Sequence, residues 1–304
     1  MDFEFLLYDR VEKIKQIINK YGADNFYISY SGGKDSVVLS ALVDMAITND
    51  IQRVYVNTGI DLNMVRDFVF KQKKNDKRIE VIVPKLPIRQ TLDKYGWPFK
   101  SKRHSITVGR YQKSGVLTTY QKKYVAGKTY QKCPTKLIYQ FTSECHLKIS
   151  HQCCVKLKEE PLAEWGKEHN KTLTMVGIMR DEGGQRYNSQ CLVFDKKGDL
   201  KRFQPLAPIT KEWEEWFIEK YNIEICDIYK PPYSQERTGC KGCPFGKNLQ
   251  AELDMLEKYF PAERKQCELI WGPVYEEYRR LGYRLKQNEL EGQMTIDDYL
   301  KGNN

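Results

Sequence analysis

The stretch from Phe26 to Asp44, FYISYSGGKDSVVLSALVD, constrains the fold more than any other part of the chain. Five residues of strand type, Phe26 to Tyr30, run into Ser31-Gly32-Gly33-Lys34-Asp35-Ser36. Apolar Val37, Val38, Leu39, Leu42, Val43 and Met45 follow at helical spacing. Strand, glycine turn and helix in that order leave unpaired backbone N–H groups and the positive end of a helix at one point, which is an anion site. Gly32 and Gly33 allow a tight turn and close approach of backbone to a phosphate, Lys34 adds a mobile charge, and the Ser31 and Ser36 hydroxyls add donors. The plainer reading is an ordinary helix start capped by Asp and Ser; the place of the hexapeptide between strand and helix favours the anion site. A Walker A loop is excluded, because no glycine stands five residues before Gly33 and Asp35 follows the lysine.

The remaining elements agree with one architecture. Leu6, Leu7, Val11, Ile14, Ile17 and Ile18 recur at helical spacing, so residues 4 to 20 read as an amphipathic helix ending near Gly22. Short strands are expected at Arg53 to Asn57, Ile79 to Val83 and Leu173 to Gly177, with helices between them over about 62–73 and 151–169. A hairpin is expected over 191–205, and Thr210 is the expected N-cap of a helix carrying Trp213, Trp216 and Phe217. Two helices fill 249–283. Strands alternating with helices of these lengths predict an α/β fold with a doubly wound, mostly parallel sheet. Ligands bind such sheets at the carboxyl ends of the strands, where Ser31 and Asn57 both lie.

From Lys94 to Ser143 the character changes: fifty residues hold no Asp or Glu, eleven Lys or Arg and six tyrosines. Weak periodicity suggests a long insertion with little regular structure, and cations among aromatic rings suit a phosphate backbone with stacked, unpaired bases. A solvated basic loop is the competing reading. The expected organisation is therefore a nucleotide domain over 1–248, carrying the basic insertion at about 94–143, and a helical C-terminal extension with a polar tail over 249–304. In that tail Gln293, Ile296 and Tyr299 have the spacing of a sliding-clamp-binding peptide, although Leu300 replaces its second aromatic and a simple amphipathic end is the preferred reading. A formal charge of +10 favours an anionic partner. No apolar run reaches membrane-spanning length and the first residues lack the layout of a signal peptide, so a cytoplasmic protein without membrane contact is expected.

Nine cysteines in such a chain point to metal or redox chemistry before a disulfide framework. Cys153-Cys154 and Cys240-Lys241-Gly242-Cys243 stand apart from Cys133, Cys145, Cys191, Cys226 and Cys267, which read as core or incidental. A C-x-x-C turn presents two thiolates to one metal, and two more complete a four-sulfur site for zinc or an iron–sulfur cluster. Adjacent cysteines reach one tetrahedral zinc ion with difficulty, whereas separate irons of a 4Fe–4S cluster accept neighbouring residues. The four histidines have no metal-ligand spacing to one another.

These motifs carry a resemblance. SGGKDS resembles the PP-loop of the adenine-nucleotide α-hydrolase superfamily, whose members split ATP between the α and β phosphates and grip the pyrophosphate. CCVKLKEEPL at Cys153 to Leu162 and TGCKGCPFG at Thr238 to Gly246 look like the two cysteine segments of cluster-bearing adenosine phosphosulfate reductases. Asn57-Thr58-Gly59 and GIMRDEGGQR at Gly177 to Arg186 are similar to further motifs of the phosphoadenosine phosphosulfate reductase-like branch. The resemblance covers most of residues 24 to 246. It implies a 4Fe–4S cluster on Cys153, Cys154, Cys240 and Cys243, with zinc as the alternative. It also implies that Ser31, Gly32, Gly33, Lys34, Asp35, Ser36, Asn57, Gly177, Arg180 and Arg186 touch the nucleotide. Arg180 stands one place late in its motif and Gly183 replaces a serine.

Two departures direct the functional expectation. Sulfonucleotide reductases carry a degenerate PP-loop, and this one is intact. They also carry a reactive Glu-Cys-Gly-x-His segment at the end, whereas residues 287–304 contain no cysteine; SECH at Ser143 to His146 lies mid-chain. The expected enzyme is an ATP pyrophosphatase and sulfurtransferase, of the type found in DNA phosphorothioation. In it Lys34 and the loop amides stabilise leaving pyrophosphate with Mg²⁺, and Asp35 holds that ion or orients the loop. A nucleic acid is the expected acceptor and a cysteine desulfurase an expected sulfur donor. A reductase using a thiol supplied in trans and a non-catalytic nucleic-acid-binding protein with a structural metal are the alternatives.

Overall fold

A computed structural model describes residues 2–48, 50–183 and 186–287. The clamp-like spacing of Gln293, Ile296 and Tyr299 lies outside the described residues. The described residues of 1–91 with 154–241 form one unit, and those of 92–153 with 242–304 form another.

The first unit holds a six-stranded sheet in the order β3-β2-β1-β4-β6-β5. Its strands are β1 (Phe26–Ser29), β2 (Gln52–Val56), β3 (Ile79–Ile82), β4 (Leu173–Met175), β5 (Leu192–Phe194) and β6 (Leu200–Phe203). All neighbours run parallel except β5, which pairs antiparallel with β6 as the expected hairpin. Alternation of side chains sends successive residues of β1 to opposite faces. Phe26 and Ile28 enter a core with α1 (Phe3–Tyr21), α2 (Lys34–Ala46) and α9 (Lys211–Lys220), through Ile14, Leu39, Leu42, Trp213 and Phe217. Tyr27 packs on the other face with Val54 and Trp165, the latter from α8 (Glu160–Glu168). Helices on both faces make the sheet doubly wound, as the sequence predicts.

Chain order runs outward from β1 through β2 to β3, then returns to place β4 on the opposite side of β1. That reversal leaves a crevice at the carboxyl ends of β1 and β4, the ordinary ligand position in such sheets. α9 starts at Thr210, whose hydroxyl caps the Trp213 N–H, and the Trp213 indole donates to the Phe3 carbonyl at 2.9 Å. Upstream of α8 the helix runs through α7 (Gln152–Cys154) and a π-helical turn, Val155–Glu159. α3 (Asn63–Asn75) follows β2, and α4 (Ile88–Tyr95) carries the chain into the second unit.

The second unit corrects one expectation: the basic insertion is largely helical. It contains α5 (Lys102–Ser114), α6 (Thr119–Val125) and a 3-10 stretch, Thr135–Phe141. Its stop and start signals are local. Ser101 caps α5, Gly115 ends it in the left-handed region at φ 68°, and Thr118 with Gln121 forms a reciprocal capping box on α6. The amphipathic period is masked because the buried positions are themselves mostly polar: His104, Ser105 and Thr107 in α5 and Gln121 in α6. α10 (Leu249–Tyr259) and α11 (Pro261–Leu281) belong to the same unit, where Tyr278 packs edge-on against Phe99 at 4.5 Å between ring centres. No helix among the described residues is long and apolar enough to cross a membrane.

Candidate nucleotide site

The loop between β1 and α2 closes on its own hydroxyls. Gly32 adopts φ 72°, where a side chain is disfavoured, and a Cβ there would run into Val69. Ser36 donates to the Gly33 carbonyl at 2.8 Å and accepts from the Ser31 N–H and hydroxyl, both at 3.2 Å. The Gly33 N–H points to Ser31 Oγ at 3.3 Å. These short-range bonds curl the loop around the N-terminus of α2.

A cavity of about 250 Å³ opens beside this loop. The loop lines it with Ser31, Gly33, Asp35 and Ser36, the end of β4 with Val176, Gly177 and Ile178, and Arg186 joins them. Tyr229, Arg237 and Thr238 close a further side. Sequence reasoning missed that last group by treating 229–238 only as a proline-bearing loop. Its signal was the Arg237-Thr238 pair just before Cys240. A Cβ on Gly33 would stand 3.2 Å from Ser31 Oγ, Thr238 Oγ1 and the Tyr229 hydroxyl, so three hydroxyls converge on one backbone position. Tyr229 and Thr238 bond each other at 2.6 Å.

Four candidates stand elsewhere. Gly32 is the hinge behind the lining. Asn57 accepts from the Gly59 N–H at 3.2 Å in a turn after β2. Arg180 is exposed and donates to the Ser189 carbonyl at 2.7 Å. Lys34, expected at the phosphate, is instead ion-paired with Glu214 of α9 and lies 3.2 Å from Asp35 Oδ1. Burial works against the Lys34 charge, but Asp35 and Glu214 outweigh it and raise its pKa. Burial, with Asp35 second, pushes the Glu214 carboxyl up to about 7. Glu214 is the other residue the sequence did not reveal, since an acid in the first turn of a capped helix reads as a dipole partner. Gly177 is close to the loop for a packing reason: its Cβ would stand 2.7 Å from the Asp35 carbonyl oxygen.

Of the cysteine quartet, Cys154 and Cys240 belong to the first unit and Cys153 and Cys243 to the second. Within the first unit the backbone at Cys240 bridges Asp61, whose carboxylate accepts from the Tyr55 and Thr58 hydroxyls at 3.1 and 2.9 Å. The Lys158 ammonium lies 3.6 Å from the same carboxylate, and Cys240 is the largest of the influences that raise its pKa. Around the Cys243 turn, the Gly242 N–H donates to Glu252 at 2.8 Å and the Tyr275 hydroxyl donates to the Gly242 carbonyl. Four thiols have the donor chemistry of a cluster, yet among the described residues no group of three His, Cys, Asp or Glu is gathered as a metal site. All nine cysteines are unbridged.

A family model described as phosphoadenosine phosphosulfate reductase domain matches residues 25–124 and 116–246. No curated protein matches the chain. Among solved structures, a phosphoadenylyl-sulfate reductase from Candida auris is 12% identical, with 78% of this chain and 93% of that one covered and a TM-score of 0.44. The FMN adenylyltransferase of Candida glabrata is 13% identical over 77% of this chain, at a TM-score of 0.44. This chain spans 61% of its length. A U34-tRNA thiolase, NcsA, from Methanococcus maripaludis with its [4Fe-4S] cluster is 14% identical, with 97% and 87% covered and a TM-score of 0.39.

Proposed function

The chain belongs to the phosphoadenosine phosphosulfate reductase domain family, whose members are enzymes that use nucleotides, and from that premise we propose that it is an ATP-dependent, adenylating sulfurtransferase that releases pyrophosphate. The observation that carries this reading is the intact SGGKDS loop, curled at the start of α2 with its serines facing a cavity that Arg186 and Arg237 also line. A triphosphate suits that lining. The loop amides and two guanidinium groups answer the charge that develops on the β-phosphate as it leaves. Magnesium enters with the nucleotide, as is usual for ions held largely by substrate phosphates.

In the proposed reaction an oxygen of the acceptor attacks the α-phosphorus. The new P–O bond forms as the bond to the β-phosphate oxygen breaks, and pyrophosphate departs with the electron pair. Ser31 and Ser36 orient the departing phosphates through hydrogen bonds. Lys34 joins them by leaving Glu214. A sulfur nucleophile then displaces AMP from the adenylated acceptor. Cys153, Cys154, Cys240 and Cys243 are the proposed ligands of a 4Fe–4S cluster, with zinc the alternative. Such a cluster would supply sulfur or hold it for transfer, although among the described residues fewer than three of its donors are gathered. Nucleic acid is the proposed acceptor class, supported by exposed Arg110, Lys113, Lys122, Lys123 and Lys128 on the second unit. A cysteine desulfurase is a proposed donor of sulfur.

The test is exchange of labelled pyrophosphate into ATP, run on anaerobically purified protein with bulk RNA or DNA as acceptor. Exchange that disappears in Lys34→Ala is expected. Absence of exchange with every acceptor class would overturn the reading, and a reductase or a binding protein would give that result. Iron and sulfide analysis of the same preparation decides between cluster and zinc.

A further inference from the structure

Glu214 is the most costly residue near the loop that the proposed chemistry does not use. Its side chain has no solvent exposure. It sits on the buried face of α9 beside Trp213 and Phe217, where an uncharged residue of similar size would pack without desolvating a carboxylate. One oxygen holds the Lys34 ammonium, and the other, Oε1, has no hydrogen-bond partner among the described residues. Asp35 stands on the same ammonium at 3.2 Å. With both carboxylates ionised, two carboxylates to one cation leave a formal charge of −1 on the trio, at the edge of a cavity that is to receive a polyanion. The lysine of the loop is outside the lining of that cavity.

We infer that Glu214 is a positioning residue that competes with phosphate for the Lys34 ammonium and so speeds the departure of pyrophosphate. The inference rests on the loop being a pyrophosphate site, as proposed above. The four-carbon stem of lysine lets its ammonium swing between partners without backbone movement. An arriving triphosphate has to draw Lys34 away from a buried carboxylate, and a buried carboxylate stripped of its cation is unfavourable. Binding is weakened by that amount. After the α–β bond breaks, the same imbalance returns Lys34 to Glu214, and the loop loses its mobile cation as product leaves. A carboxylate that only stabilised the fold would have no influence of this sign on pyrophosphate.

The experiment measures pyrophosphate and ATP affinity by calorimetry, and pyrophosphate dissociation by stopped flow, on the full chain at pH 8. Glu214→Gln is expected to bind pyrophosphate about ten-fold more tightly, mainly through slower dissociation. In a Lys34→Ala background the same substitution is expected to change affinity less than about two-fold, because the contested cation is gone. Glu214→Asp, which keeps the charge but draws it back by one methylene, is expected to tighten binding to a smaller degree, and it carries the test if Glu214→Gln does not fold. Wild-type binding with a native-like Glu214→Gln variant that binds equally or more weakly overturns this inference alone. Wild-type protein that binds neither pyrophosphate nor ATP overturns the nucleotide reading and this inference with it.

Discussion

His104 shows how one buried side chain sets a pH response. It is 1% exposed, between the Tyr124 hydroxyl at 2.8 Å from Nδ1 and Gln140 Oε1 at 2.7 Å from Nε2. Gln140 Oε1 only accepts, so Nε2 carries the proton and Nδ1 accepts from Tyr124. Burial pushes its pKa from 6.5 down to about 4, with Lys100 and Arg284 adding to the effect. A depressed base stabilises the fold above its unfolded pKa and loses that contribution as pH falls through the folded value. Stability of the second unit should therefore fall by about 3 kcal/mol between pH 6.5 and pH 4. Glu214 runs the other way. A raised acid stabilises below 4.5, and the contribution is lost as pH rises through about 7. Hydrogen exchange followed in each unit separately should show these opposite slopes, and Glu214→Gln should flatten the first unit's slope without altering the second. A third residue is tested by packing. Gly177→Ala puts a methyl against the Asp35 carbonyl and should cost about 1–3 kcal/mol in denaturant unfolding.

At the scale of elements, the helices of the insertion depend on their caps. Gln121 accepts from the Thr118 N–H at 2.7 Å and donates to the Thr107 carbonyl at 2.8 Å, so one amide starts α6 and ties it to α5. Thr118→Ala should cost about 1 kcal/mol. Gln121→Ala should cost more, because it removes both the bond to the Thr118 N–H and the tie to the Thr107 carbonyl of α5. Thermal melts of the two variants check the order. α5 and α6 were missed in the sequence because the positions they bury include His104, Ser105, Thr107 and Gln121, so no apolar stripe announces a helix. The strands, though not their order in the sheet, were legible because their buried residues are mostly apolar. Phe26 to Tyr30 ends at Ser31-Gly32, Arg53 to Asn57 at its own asparagine and Ile79 to Val83 at Pro84, so the strands and the loop could be read with shifts of a residue or two. The partner of Lys34 could not be read at all. Glu214 lies 180 residues away, and nothing in the period of α9 separates an inward acid from a surface one.

For the whole molecule, each unit is assembled from two distant segments. Lys100 donates its backbone N–H to the Tyr278 hydroxyl at 2.7 Å, and Tyr139 donates to Glu277 at 2.6 Å, so the insertion folds on a helix that arrives more than a hundred residues later. Truncation after Lys241 should melt α5 and α6 as well. Far-ultraviolet dichroism would then fall by more than the removed helices account for, and a loss limited to α10 and α11 would contradict that dependence. The charge pattern gives a second global expectation. RNA or DNA affinity should fall steeply with salt, and replacing Lys122 and Lys123 by alanine should reduce the logarithmic slope by roughly 0.9 for each phosphate left without its cation. Flat binding across salt concentrations would remove the insertion from the acceptor site.

The π-helical turn at Val155–Glu159 acts as a phase adjuster. A turn of this kind accommodates one residue more than the regular helix around it, and each residue of an α-helix advances about 100° around the axis. Trp165 is anchored downstream against Tyr27, with 5.2 Å between ring centres. The turn therefore takes up one surplus residue between Cys154 and that anchor while keeping the two in phase. Deleting Lys156 should let the helix relax to regular winding with Cys154 held close to its present heading, because the turn had absorbed that one residue, whereas a deletion within the regular helix of α8 ahead of Trp165 should turn Cys154 by about 100°.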